Sequence, residues 1–312
     1  MTIAALCASH SPLIDYMSPP VEVKQEVTAC LTELSSWVDD YAPDLLVVLG
    51  PDHFNGFFYD VMPSFCVGAA AEAVGDWKTS RGPYHVDTEV AEACVRHLHR
   101  HDIDSALSYK MLVDHGGVQI LDQLFNWEAL PPILPIFINC AAPPLPPLKR
   151  VVAFGAALGQ FLGGLDRRVL VIGSGGISHD PPIPQLSTAP LEVRTRLIEG
   201  GILSAEARTA RQERVITDAE RQQAGTSERT PLNPVWDQRF LDQLVARDFD
   251  EICVMDDDSI TRNGGCGGHE IRTWIAACAA IDAAGAYNPN LRYYRAIPEW
   301  IAGYAVMTVE PT

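Results

Sequence analysis

Residues 168–181 read RVLVIGSGGISHDP, an unbroken apolar run followed at once by a glycine-rich loop that ends in histidine. Five residues, Arg168 to Ile172, are too few for a typical helix, and Val and Ile favour the pleated conformation. With no polar residue alternating through it, the run predicts a strand buried on both faces, as in a parallel sheet. Ile3–Ala8, Asp44–Leu49, Ile133–Ile138 and Glu251–Met255 repeat that first half and predict further strands. Helical spacing occupies the longer segments Val21–Tyr41, Thr88–His99, Val118–Trp127 and Val151–Leu162. Strand and helix alternate, so the expected fold is α/β, a central mostly parallel sheet flanked by helices. Such sheets hold ligands at the carboxyl ends of their strands.

The second half of the pattern recurs as well. The first strand leads into Ser9-His10-Ser11-Pro12, and the second into Gly50-Pro51-Asp52-His53-Phe54-Asn55. Asp114-His115-Gly116-Gly117 opens the Val118 helix, and Asn263-Gly264-Gly265-Cys266-Gly267-Gly268 leads to His269-Glu270. A parallel sheet gathers such loops along one edge. Two imidazoles and one carboxylate on one face of a metal, with the other positions open, suit Fe(II) and O2 chemistry.

Other readings fall away on inspection. The dinucleotide fingerprint needs a third glycine where Ser178 stands, and no phosphate-loop Gly-Lys-Ser/Thr or Gly-x-Ser-x-Gly elbow occurs. Asp256-Asp257-Asp258 lacks the spaced oxygens of a calcium loop and reads as a cap. His97, His99 and His101 stand two apart on a helix, so they face different directions and read as solvated.

With 40 acidic against 23 basic residues in 312, the net charge of −17 argues against nucleic-acid or anionic-membrane partners. The eight cysteines include no Cys-x-x-Cys pair and read as small hydrophobes of a reducing compartment. No apolar stretch nears the roughly 18 residues of a membrane span, and the first residues lack a basic region, so a cytoplasmic protein is expected. Residues 1–312 read as one catalytic domain. The proline-rich Ala141–Leu148 turns the chain, and the polar stretch Leu186–Arg247 reads as an inserted helical region, a lid or subunit contact of a homo-oligomer. Within it, Glu206–Gln223 predicts an exposed helix carrying both charge signs.

Taken together, the loops that begin at Ala8, Gly50, Asp114, Gly173 and Asn263 resemble those of the class III extradiol ring-cleavage dioxygenases of the LigB-type superfamily. The resemblance runs from residue 8 to residue 270. It implies Fe(II) held by His10, His53 and Glu270, with His115 and His179 as an acid–base pair and Asp114 and Pro181 shaping their surroundings. The substrates it implies are a catechol and O2, the best match being to members that act on 3-(2,3-dihydroxyphenyl)propionate and its cinnamate analogue. Ring cleavage needs a base for the catechol proton and an acid for the departing oxygen, and histidine suits both tasks. His269, next to Glu270, would point about 100° away on a helix and is left out of the ligand set. Arg81, Lys78 and Lys110 are the candidates for a substrate carboxylate. A sister enzyme for another catechol, or a non-catalytic metal-binding member of the scaffold, remains a competing expectation.

Overall fold

The computed structural model describes residues 2–201 and 203–312; Met1 and Ile202 lie outside the described residues. Four strands make the parallel centre: β1 (Thr2–Ala8), β2 (Leu45–Gly50), β8 (Ile133–Ile138) and β9 (Arg168–Ser174), side by side in the order β1-β9-β2-β8. All four pair in parallel, with Ala5 opposite Val171 and Val47 opposite Leu134. Because β9 lies between β1 and β2, strands from either side of the Ala141–Leu148 turn interleave in one sheet.

Antiparallel neighbours extend the centre at both sides. β11 (Ala302–Pro311) pairs with β1 and carries β10 (Tyr287–Ile297) outside it. On the far side β3 (Phe65–Gly68) runs antiparallel to β8, and β6 (Ala106–Ser108) completes the eight strands. A second, small sheet holds β4 (Ala71–Val74), β5 (Arg81–Pro83) and β7 (Met111–Val113).

Alternate residues of β1 explain the unbroken apolar runs. Ala5 and Cys7 face one core with α4 (Leu148–Gly163) and α10 (Ile271–Ala284), while Ala4 and Leu6 face another with α1 (Val21–Tyr41) and α3 (His115–Leu124). Both faces being covered, each buried Leu or Val contributes about 1.5–3 kcal/mol. α4 and α10 approach closely because Gly155 and Gly159 present bare backbone. A Cβ on either would overlap the carbonyl of Ala276 or Ala280. α2 (Thr88–Arg100) packs beside α4, its first turn capped by Asp87.

The expected strand Glu251–Met255 is instead helix α8 (Phe249–Val254). Asp248 caps it by accepting from the Glu251 N–H, and within the helix only Ile252 is fully buried. A strand there would have buried Glu251 and Val254, both of which face solvent. The strand position beside β1 belongs to β11. The inserted region is helical as expected: α5 (Leu191–Glu199), α6 (Ala205–Gln223) and α7 (Pro234–Val245). Asp256 caps α9 (Asp257–Gly264), which returns the chain to the sheet edge. No helix among the described residues is long and apolar enough to cross a membrane.

Candidate active site

The ends of β1, β9 and β2 lie side by side, so the residues that follow them meet. His10 stands just beyond β1, its Nδ1 3.1 Å from the Ser174 hydroxyl at the end of β9. His53, beyond β2, has Asp114 on one side: the Asp114 carboxylate accepts from the His53 backbone N–H at 2.8 Å and lies 3.1 Å from Nδ1. Asp114 also caps α3, accepting from the Gly116 N–H at 3.0 Å, and takes the Asn55 amide at 2.8 Å. With both Nδ1 atoms occupied, the two Nε2 atoms turn to Glu270, at 3.6 Å from His10 and 3.2 Å from His53.

Glu270 ends a short 3-10 turn, Gly267–Glu270, ahead of α10, and is only 2% exposed. Its Oε2 accepts from the Gly176 N–H at 2.8 Å, so the 173–176 loop grips a carboxylate where a nucleotide site would grip phosphate. Burial favours the neutral acid, but the imidazoles of His179 and His10 outweigh it and hold the Glu270 carboxyl well below its usual range. Burial pushes His10 down to about 3, so it stays neutral with a lone pair to offer. For His53 burial works the same way, yet Asp114 and Glu270 prevail and raise it.

Two more imidazoles complete the cluster. His115 opens α3, and Asp76, between β4 and β5, accepts from its backbone N–H at 2.8 Å and lies 2.7 Å from Nδ1. Its ring stacks on His53 at 4.4 Å, 5.6 Å from the ring of His10. His179 donates from Nδ1 to the Ile177 carbonyl at 3.2 Å, which leaves Nε2 3.3 Å from Glu270 Oε1. Burial disfavours its charged form, but Glu270 reverses that and raises it. Gly267 makes room for this ring, since a Cβ there would overlap it. Fully buried Asp237 accepts from the backbone N–H (3.0 Å) and hydroxyl (2.8 Å) of Ser178 and from Tyr294 (2.8 Å), fixing the segment that carries His179.

Above the cluster opens a cleft lined by His10, His53, His115, His179, Trp77, Pro181 and Arg211 among others. The structure thus brings together His10, His53, Glu270, His115 and His179, with Asp114 beneath and Pro181 on the wall. His269 turns away, pairing with the Arg272 guanidinium and the Thr261 hydroxyl, each at 2.8 Å. His97 and His101 stack on each other at α2, away from the cleft, and His85 is exposed.

The three cations expected to serve a substrate carboxylate do not line the cleft. Lys78 is held over the Tyr16 ring and by the Asp15 carbonyl, while Arg81 and Lys110 are exposed on the small sheet and the turn before β7. The cleft's own cation is Arg211, on α6. Sequence reasoning missed it, together with Asp76, Trp77, Ser174 and Asp237. Ser174 was visible within the opening stretch, but nothing local marks the other four.

Buried imidazoles around one carboxylate, at the carboxyl edge of a mostly parallel sheet, form a candidate metal site. The chain belongs to the LigB family of ring-opening dioxygenases: residues 4–306 match "Catalytic LigB subunit of aromatic ring-opening dioxygenase". It is 48% identical over 311 residues to the "2,3-dihydroxyphenylpropionate/2,3-dihydroxicinnamic acid 1,2-dioxygenase" of Cupriavidus pinatubonensis, covering 100% of this chain and 99% of the other. Proteins of the same name from Rhodococcus sp. (48%, 97% of each chain) and Mycolicibacterium paratuberculosis (45%, 100% of each) are similar along their length. An uncharacterized Escherichia coli K12 protein of known crystal structure shares the fold, with a TM-score of 0.52 at 17% identity over 99% of both chains.

Proposed function

We propose that this dioxygenase cleaves 3-(2,3-dihydroxyphenyl)propionate, and its cinnamate analogue, beside the diol with O2, giving 2-hydroxy-6-oxonona-2,4-dienedioate from the propionate in the catabolism of aromatic compounds. The observation that carries the reading is Glu270, whose Oε2 faces the Nε2 of His10 and whose Oε1 faces the Nε2 of His53, beneath a cleft lined by both imidazoles. We assign His10, His53 and Glu270 as ligands of Fe(II). Imidazoles and a carboxylate fit that ion, and Ser174, Asp114 and the Gly176 N–H orient them from behind. His115 also has a ring nitrogen within 4.8 Å of nitrogens on His10 and His53. We read it as a base instead, with Asp76 occupying its Nδ1 and fixing its tautomer.

Fe(II), when bound, supplies coordination positions for both substrates and a path for electrons from the ring to oxygen. The protein's own groups do the rest. His115 takes a catechol proton at Nε2, and Asp76 holds the tautomer that makes this possible. His179, whose charged form Glu270 favours, returns a proton from Nε2 to the departing oxygen. Leu13, Trp77, Pro181, Ile183 and Trp300 wall the cleft and keep water from the ring.

Loading the protein anaerobically with Fe(II), adding the dihydroxyphenylpropionate and admitting air tests the reading. One O2 consumed per substrate with a yellow product, lost with a chelator and restored by Fe(II), is expected. Uptake only with another catechol would move the substrate, and uptake with none despite confirmed iron would overturn the catalytic reading.

A further inference from the structure

Two arginines of the inserted region reach the same loop. Arg211 on α6 donates to the carbonyl of His53 at 2.7 Å, and Arg196 on α5 to that of Phe54 at 2.9 Å. They are close enough for the charge of Arg211 to act on Arg196, yet neither has an ion-pair partner among the described residues. The Nε of Arg196 is buried without a hydrogen-bond acceptor. Asp52, the acid whose field Arg196 feels, spends its oxygens on the backbone N–H groups of Asn55, Gly56 and Phe57. Two adjacent guanidiniums repel, and an uncompensated one is costly unless an anion arrives.

Arg211 is the only Lys or Arg among the described residues lining the cleft, and Val215, one turn further along α6, lines it too. A guanidinium carries five N–H donors in a flat fork, so the bond to the His53 carbonyl leaves others for a carboxylate. The bond also ties its head to a residue of the floor, toward which the diol faces. We infer that Arg211 is the specificity-determining residue that receives the carboxylate at the end of the substrate's propionate chain, with Arg196 reinforcing the positive field behind it. This assignment rests on the ring-cleavage reading above.

The test compares 3-(2,3-dihydroxyphenyl)propionate with 3-propylcatechol, which keeps the chain and lacks the charge. In Arg211→Gln the preference for the acid over the neutral catechol should fall about 10- to 100-fold, mainly through KM. Arg211→Lys should recover part of it, and Arg196→Gln should move it less in the same direction. Equal losses on both substrates would show that Arg211 acts only through the His53 carbonyl, and an unaltered preference would also overturn the assignment. Calorimetric binding of 3-phenylpropionate, which has no diol, separates the two readings. Were the wild type to cleave no catechol, weaker binding of this acid in Arg211→Gln would still uphold the anion site, and equal binding would sink it.

Discussion

The floor of the cleft and its rim are built differently. On the floor, His10 and His53 follow β1 and β2 and Ser174 ends β9 between them, so the sheet's own spacing sets their separation. The rim takes His115 from the start of α3, Asp76 and Trp77 from beside the small sheet, and Arg211 from the inserted helix α6. Floor residues converge on one carboxylate. Rim residues face the same space, each steadied by a partner of its own. The floor is therefore suited to holding an ion and the rim to handling what binds above it, and variants that separate binding from turnover test that division.

The largest effect is expected at the floor. Glu270→Ala removes the carboxylate shared by His10, His53 and His179 and should lose both bound iron and detectable ring cleavage. His179→Ala should keep its iron while kcat drops about 10²- to 10⁴-fold, the range for a lost acid or base. Metal content beside turnover decides the matter, and a Glu270→Ala protein with full iron would erase the division. A step down, Asp76→Asn should cost about 10- to 100-fold in kcat with iron retained, since it loosens only the tautomer of His115. If iron were lost as well, His115 would belong to the floor.

The smallest effect on turnover is expected from Gly159→Ala. Its methyl would press on the Ala280 carbonyl and push α10, which starts after Glu270, away from α4. Thermal denaturation should show a loss of about 1–3 kcal/mol, with kcat per folded, iron-loaded molecule little altered. A stability equal to that of the wild type would mean that the α4–α10 contact is looser than its geometry.

The same contrast governed what could be read in advance. β1, β2, β8 and β9 were legible because a strand covered on both faces must be apolar throughout, and each run is broken by a polar residue or a glycine. His10, His53 and His179 were legible with them. The short strands β3 to β7 carry three or four residues each, too few for a period. The strand-like run at 251–255 turned helical because the Asp248 cap and its single fully buried face outweigh the β-branched side chains.

By itself, then, the sequence determined the parallel centre, the loops leaving it, and the histidines those loops bear, because strand ends and glycine turns are local chemistry. Tertiary structure alone decided which other groups meet them. Asp76 reaches His115 across 39 positions and Arg211 reaches His53 across 158, and Asp237 touches Ser178 across 59. No pattern in the chain announces such encounters. They come into being only when the small sheet and the inserted helices close over the sheet edge, and burial there turns ordinary charged side chains into partners.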